Sequence, residues 1–359
     1  MRIAFDARSY FMRTGIARYS RGLVHALVES GPPHDWLILI SDQHEPSEID
    51  PGAGRANVEV RSSAAPWLGG ATERSVLGEE VAAWGADVFH AIFPPHALAG
   101  VPTLTTVFDF SPITHPDVHQ PVVREAFEEA WQSAVLHARG FAAASRATAR
   151  VLTSLVGPSR PRWIVPGGVG GRVSNPATHR AGVLYVGTIE PRKNLPVLLE
   201  ACRLLADRGR EVPLTLIGKA GWGDVNIEAE VARTPGARWL GFVDDATLVA
   251  HYESAAVAAF PSSLEGFGLP VLEAMVHGVL PLVSRDEALT ELVADPRLVV
   301  PDEPAAWADA IARWIDDPTG RQQVTRATTA RAREFTWPRA ATLARTAYSG
   351  IGRETERRA

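Results

Sequence analysis

Two rounds of one alternation, strand-length apolar runs followed by helix-length amphipathic stretches, constrain this chain more than any single motif. In the first round "RIAFDA" (2–7), "WLILIS" (36–41), "VEVRS" (58–62), "DVFHAI" (87–92), "TLTTVF" (103–108), "GFAAAS" (140–145) and "RWIVPG" (162–167) read as strands, with helices near 16–29, 72–84, 122–137 and 146–155. In the second the strands are "VLYVG" (183–187), "LTLIG" (214–218), "ARWLG" (237–241), "AVAAFP" (256–261), "LPLVS" (280–284) and "LVVPD" (298–302), with helices near 194–208, 245–253, 270–277, 304–316 and 319–334. Strands that alternate with helices build βαβ units and mostly parallel sheets. The Gly- and Pro-rich "GGVGGRVSNPATHRAG" (167–182) reads as a linker between the rounds. The expectation is an α/β chain of two Rossmann-like, doubly wound domains, 1–170 and 180–337, with ligands outside the carboxyl ends of the strands. A last helix follows "FTWPRA" (335–340).

Bulk properties exclude several classes. The formal net charge of −5 gives no reason to expect nucleic acid as a partner. One cysteine, Cys202, allows no internal disulfide and fits a reducing compartment. No apolar run approaches a membrane span, and "MRIAFDARSY" is too short in apolar residues for a signal peptide. Cytoplasm is the expected location. Arg8, Arg13, Arg18 and Arg21 make the N-terminal region mildly basic, which permits peripheral contact with an acidic membrane or a lipid diphosphate; a solvated helix face is the plainer reading. Only two of the 36 basic residues are lysines, Lys193 and Lys219. A lysine is a compact point charge that arginine does not replace at a tight site.

The segment "SSLEGFGLPVLEAM" (262–275) carries the chemistry. Glu265 falls in the loop after a strand. Pro270 suits the first turn of a helix, which places Glu273 in that first turn, where the helix dipole favours a carboxylate. Gly266 and Gly268 let the backbone approach a ligand, and the amides near Gly268 and Leu269 point outward as helix N-termini do toward anions. Two carboxylates also accept well from vicinal hydroxyls, as on a sugar or ribose. The bland alternative is a glycine turn with a solvated Glu265. In "GTIEPRKN" (187–194), Arg192 and Lys193 sit between a strand and a helix and suit a diphosphate. Lys219 of "GKAGW" also follows a strand, and a surface lysine is its equal alternative.

"EGFGLPVLEAMVHGVLPLVS" (265–284) resembles the E-x7-E signature of the retaining glycosyltransferases of the GT-B fold, family 4 type. "YVGTIEPRKNLPVLLEA" (185–201), "LIGKAGW" (216–222), "GFVDDATLVAHYESA" (241–255) and, less specifically, "TGIARYSRGLVHAL" (14–27) match in the same order. The resemblance implies a C-terminal domain that binds a nucleotide sugar, and a last helix (about 338–359) that crosses back to the N-terminal domain. Glu265 would hold donor-sugar hydroxyls; the backbone of Phe267, Gly268 and Leu269 would line the sugar and diphosphate; Glu273 would bind ribose. The Gly15 amide would touch the donor phosphate, and Asp245, near Val243, would face the base, with a helix N-cap as its equal alternative. Many family members carry arginine where Thr188 stands, and histidine where Phe108 stands before Asp109. His90, His96 or His115 could fill the latter role.

No Asp-x-Asp and no metal-ligand spacing occur, so no metal and no cofactor are expected beyond the nucleotide-sugar donor. Arg192 and Lys193 would stabilise the leaving diphosphate, giving a metal-independent, retaining transfer. GDP-mannose is the first donor expected, from the overall similarity and from Asp245; UDP-linked sugars follow. The acceptor is expected to be a lipid-linked or polysaccharide carbohydrate, and the sequence says nothing about oligomeric state. The alternatives are a non-catalytic nucleotide-sugar-binding protein, which Phe108 and Thr188 keep open, and an epimerase-like hydrolase on the same fold, against which the E-x7-E string argues.

Overall fold

The computed structural model describes residues 1–30, 34–51, 55–170, 180–223 and 226–358, with side chains to residue 352. The linker reading falls largely on 171–179, outside the described residues. The chain forms two compact units, Met1–Gly170 with Phe335–Ala359, and Gly171–Glu334.

The first unit is built on β1 (Arg2–Asp6), β2 (Asp35–Ser41), β3 (Val58–Ser63), β4 (Val88–Ala91), β5 (Thr103–Val107), β6 (Ala138–Ala143) and β7 (Arg162–Ile164), in the order β3-β2-β1-β4-β5-β6-β7. All these pairings are parallel. Its helices are α1 (Gly15–Glu29), α2 (Gly70–Trp84), α3 (Ser111–Thr114), α4 (Pro121–His137) and α5 (Arg146–Val156). Parallel strands covered on both faces must be apolar throughout; Leu37 to Ile40 are completely buried.

The second unit carries β8 (Ala181–Val186), β9 (Leu214–Ile217), β10 (Ala237–Trp239), β11 (Ala255–Phe260) and β12 (Leu280–Val283), in the order β10-β9-β8-β11-β12, again parallel. Around it run α6 (Leu195–Asp207), α7 (Ile227–Ala232), α8 (Asp245–Ser254), α9 (Leu269–Val276), α10 (Glu287–Val293), α11 (Pro304–Asp316) and α12 (Pro318–Ala332). The strand predicted at 298–302 does not form. Pro296 opens a 3-10 turn over Pro296–Leu298, and only a single bridge, Val283 to Val299, follows. Prolines at 296 and 301 bracket the run and cannot donate to a ladder. The short α3, α7 and α10 were not predicted. Asn226 and Asp286 cap the last two through their side chains.

The last helix, α13 (Trp337–Arg358), packs in the first unit. Tyr348 bonds His90 Nδ1 of β4 at 2.7 Å, and His90 Nε2 meets Thr106 of β5 at 2.8 Å. At its start the Trp337 indole lies on Gly22 of α1, where an added Cβ would come within 2.0 Å of the ring. Gly22→Ala is therefore expected to lower stability by about 2 kcal/mol, because overpacking outweighs the helix-propensity gain of about 1 kcal/mol. Thermal unfolding of Gly22→Ala, Trp337→Ala and the double variant checks this. The double variant should lose no more than Trp337→Ala by itself. Among the described residues, no helix is long and apolar enough to cross a membrane.

Candidate active site

β8 and β11 are neighbours at the point where the strand order of the second sheet reverses, so the loops leaving their carboxyl ends emerge side by side. After β8 comes Gly187–Glu190 and a 3-10 turn, Pro191–Lys193. After the fully buried β11 comes a loop that reaches Gly268, whose φ of 96° permits the turn into α9 and whose position only glycine adopts without strain. The two loops are stitched together: the Ser263 amide and hydroxyl donate to the Arg192 carbonyl (2.8 and 3.1 Å), and Arg192 donates to the Leu264 carbonyl (3.1 Å).

Their charged side chains converge. Lys193 Nζ lies 2.6 Å from Glu265 Oε1, Arg192 Nη1 3.4 Å from Glu265 Oε2, and Arg192 Nε 2.6 Å from Glu190. The Glu265 side chain is 14% exposed and that of Lys193 12%. Burial by itself would raise the Glu265 pKa; Lys193 and then Arg192 overcome it and hold the carboxyl below its ordinary value. The Glu265 amide donates to Asp286 Oδ2 (3.1 Å), while Oδ1 caps α10 by accepting from the Leu289 amide (3.0 Å). Burial chiefly, with the nearby Glu265 charge, pushes Asp286 up to about 6. The result is a compact cluster of two cations and three carboxylates, Glu190, Glu265 and Asp286, at a strand-end crevice. Below it the buried Tyr185 hydroxyl donates to the Thr188 carbonyl (3.1 Å).

Residues 172–331 match the family described as "Glycosyl transferases group 1". The C-terminal unit is a glycosyl transferases group 1 domain. Among curated proteins the chain is similar to O-antigen chain mannosyltransferase B of Escherichia coli, 39% identical over 170 residues, which cover 46% of this chain and 45% of that protein. The chain thus spans less than half the length of the curated relatives it matches. Among solved structures it superimposes on a sucrose-phosphate synthase from Thermosynechococcus elongatus (TM-score 0.79, 19% identity, 98% of this chain and 99% of that one). It also superimposes on Anabaena HepE in complex with UDP and glucose (TM-score 0.74, 17% identity, 97% and 99%). The fold is GT-B, with two parallel-sheet Rossmann-like units.

Within the glycosyltransferase domain, other predicted residues surround the cluster. Phe267 and Leu269 are buried. Half-buried Thr188 lies in the β8 loop, and the β9 loop runs against it, with the Ile189 amide donating to the Lys219 carbonyl (3.0 Å). The Lys219 side chain is exposed. At Gly218 a Cβ would stand 1.9 Å from the Gly187 carbonyl oxygen, so these two loops touch backbone to backbone.

Two predicted positions need correction. α9 begins at Leu269, so Glu273 is its fifth residue and lies beyond the first turn. What holds Glu273 is Tyr252 of α8, whose hydroxyl is 3.1 Å from Oε2 and 3.2 Å from the Pro270 carbonyl. The cap of α8 is Asp244, which accepts from the Thr247 amide at 2.7 Å. Asp245 is the first helical residue and is exposed, next to half-exposed Val243 and largely exposed Phe242.

Gly15 belongs to the first unit, where it is exposed at the start of α1 behind the Thr14 cap, and a Cβ there would meet nothing within 4 Å. No local packing demands glycine at that position. The N-terminal basic reading fails at Arg8, which is sealed between Asp6 (2.8 Å) and Glu73 (2.6 Å). Phe108 packs edge-on against Tyr19. His90 is locked between Tyr348 and Thr106, His96 is buried against Phe89, and His115 bonds Thr114 on the surface. An open cavity of about 710 Å³ between α2 and α4, lined by Arg74, Glu79, Glu129 and His137 among others, contains none of the predicted residues.

Sequence reasoning missed Glu190, Asp286 and Tyr252. Glu190 was visible in "TIEPRKN" but was read past for the cations beside it. Asp286 before "EALTELV" is an N-cap pattern and could have been found. Nothing local signals Tyr252.

Proposed function

We propose that this chain is a metal-independent, retaining hexosyltransferase of the cytoplasm. It moves a hexose, mannose before others, from a nucleoside diphosphate to a lipid-linked or polysaccharide acceptor. The observation that carries this reading is the Arg192–Lys193–Glu265 cluster at the β8/β11 switch point, inside the region that matches the family. Arg192 and Lys193 meet the diphosphate. A carboxylate offers about four lone-pair sites, so Glu265 can fix both cations and still accept from sugar hydroxyls. In the transfer, the bond from the anomeric carbon to the phosphate oxygen breaks and a bond from the acceptor oxygen forms on the same face. The acceptor's proton passes to the departing phosphate, whose growing charge the two cations stabilise. Glu273, held by Tyr252, takes ribose; Thr188, Lys219, Val243, Asp245, Phe267, Gly268 and Leu269, all of the second unit, complete the donor contacts.

Mannose is favoured because the relative at 39% identity is named a mannosyltransferase of an O-antigen chain. The HepE complex with UDP and glucose makes UDP-glucose the donor to set against GDP-mannose. The test is thermal unfolding with GDP-mannose, UDP-glucose and UDP-N-acetylglucosamine in the presence of a chelator. At a hundred times its dissociation constant the right donor adds about 2.7 kcal/mol. No shift with any nucleotide or nucleotide sugar would overturn the reading. Phe108, packed on Tyr19 where the family often has histidine, favours one second reading, a binding protein without turnover. A donor that binds but releases no nucleoside diphosphate with any acceptor would support it.

A further inference from the structure

We propose that Asp286 is a positioning residue that sets where the Glu265 carboxylate stands, by clamping the loop after β11 from the side away from Arg192. The inference rests on the transferase reading of Glu265. The strand order puts β11 between β8 and β12, so the loop that carries Glu265 has a neighbouring loop on each side. On the β8 side Ser263 and Leu264 are bonded to Arg192. On the β12 side the Ser284 hydroxyl donates to the Ser262 carbonyl, and the Glu265 amide donates to Asp286 Oδ2 (3.1 Å). Asp286 Oδ1 accepts from the Leu289 amide (3.0 Å) and so opens α10. That helix lies against the far end of the same loop: a Cβ added at Gly268 would come within 2.6 Å of Leu289 Cδ2. One carboxylate thus holds the backbone at Glu265 and docks the helix that packs on Gly268.

The clamp needs two acceptor oxygens, one for each amide. An ionised carboxylate has both, whereas asparagine and serine each have one. Asparagine and serine nevertheless cap helices as well as aspartate does, so a mere cap would tolerate either. Protonation breaks the clamp in the same way, because it turns one acceptor into a donor. Burial chiefly pushes Asp286 up to about 6, so this happens in mild acid. The charged groups beside it are Glu265 of the β11 loop, ion-paired to Lys193 and Arg192, and its exposed chain neighbours Arg285 and Glu287. Arg331 of α12 donates to the Glu291 and Leu292 carbonyls, at the other end of α10.

The test compares wild type, Asp286→Asn and Asp286→Ser between about pH 5 and about pH 8. It follows release of GDP from GDP-mannose or UDP from UDP-glucose to water, the unfolding midpoint, and the amide proton resonance of Glu265. In wild type, kcat should fall as pH drops through about 6, and the Glu265 amide should shift with the same midpoint. Both variants should keep the wild-type unfolding midpoint, because both residues cap α10. Both should lose at least about tenfold in kcat near pH 7, together with the acid limb and the amide shift. Affinity for free GDP or UDP should stay within about twofold, since Arg192 and Lys193 are untouched. A Glu265 amide that does not titrate near pH 6, or titrates equally in Asp286→Asn, overturns the clamp. Wild-type kcat in either variant also overturns it and reduces Asp286 to a helix cap. The amide is read without substrate, which separates the two readings. An amide shift present in wild type and lost in Asp286→Asn, with no nucleotide released by wild type, upholds the clamp and counts against the transferase reading.

Discussion

Glu265→Ala should lower turnover at saturating donor by about 10³-fold, and Glu265→Gln by at least about 10²-fold while keeping the protein folded. Glu265 accepts from Lys193 at 2.6 Å and faces Arg192 at 3.4 Å in a site where both side chains are mostly buried. Removing one member of a buried ion pair leaves the other charge uncompensated and costs about 3–5 kcal/mol. Here the loss is softened for Arg192, because Glu190 stays 2.6 Å away; among the described residues Lys193 ion-pairs with Glu265 alone and should lose its position. On the proposed function, alanine therefore removes an acceptor for sugar hydroxyls and disorganises a donor to the diphosphate together. One donor of that kind is worth about 10²–10³ in rate. Glutamine keeps the shape and one oxygen but removes the charge, which separates chemistry from folding. The measurement is kcat and KM for the donor beside the unfolding midpoint. A Glu265→Gln protein with wild-type kcat would remove Glu265 from the reaction. The same substitutions should also return Asp286 toward an ordinary carboxylate value, since part of its rise comes from the Glu265 charge.

The elements around this site were legible because their signals are local. "AVAAFP" reads as a strand among alternating helices, and Pro270 suits the first turn of a helix; the structure has β11 fully buried and α9 starting at Leu269 behind Gly268 at φ 96°. What escaped depends on partners far apart in the chain. The Lys193–Glu265 pair spans 72 positions and forms only because β8 and β11 are adjacent, an order that alternation by itself does not fix. The sequence reading gave the cations to the diphosphate and the carboxylate to the sugar; the fold first gives them to each other. The Glu273 error is one residue long: helix α9 starts at Leu269 behind Gly268, and a carboxylate expected in the first turn moves to the second. Asp244 and Asp245 compete for one cap with the same chemistry, and only backbone geometry separates them. The strand expected at 298–302 had the right residues, but Pro296 turned its first part into a 3-10 turn.

Acid should unfold the first unit before the second. An unfolded histidine takes up its proton near 6.5, whereas burial lowers His90 to about 3 and His96 to about 4, both despite an opposing pull from Asp6. Between those values the unfolded chain binds more protons than the folded one, so each histidine contributes stability above pH 6.5 that drains away as pH falls toward the folded value. The drain is about 1.4 kcal/mol per pH unit for each group, or about 4 kcal/mol for the two at pH 5. That is a large share of the roughly 5–15 kcal/mol that holds a domain. The second unit carries an opposite term. Asp286 is raised from 3.8 to about 6, so its burial costs stability above pH 6, and that cost is relieved as pH falls from about 6 toward 3.8. Hydrogen exchange followed from pH 7 to 5 should therefore show β4, β5 and α13 losing protection before β8 and β11. His96 gives the sharper control: neither ring nitrogen has a hydrogen-bond partner in the structure, and the ring is 1% exposed. His96→Leu removes a buried unsatisfied polar group worth about 1–3 kcal/mol. It should stabilise the first unit at pH 7, and at pH 5 by about 2 kcal/mol more. A stability–pH slope for His96→Leu that matches wild type between pH 6.5 and 5 would show that His96 is not buried as a neutral ring, and the order of acid unfolding would then rest on His90 alone.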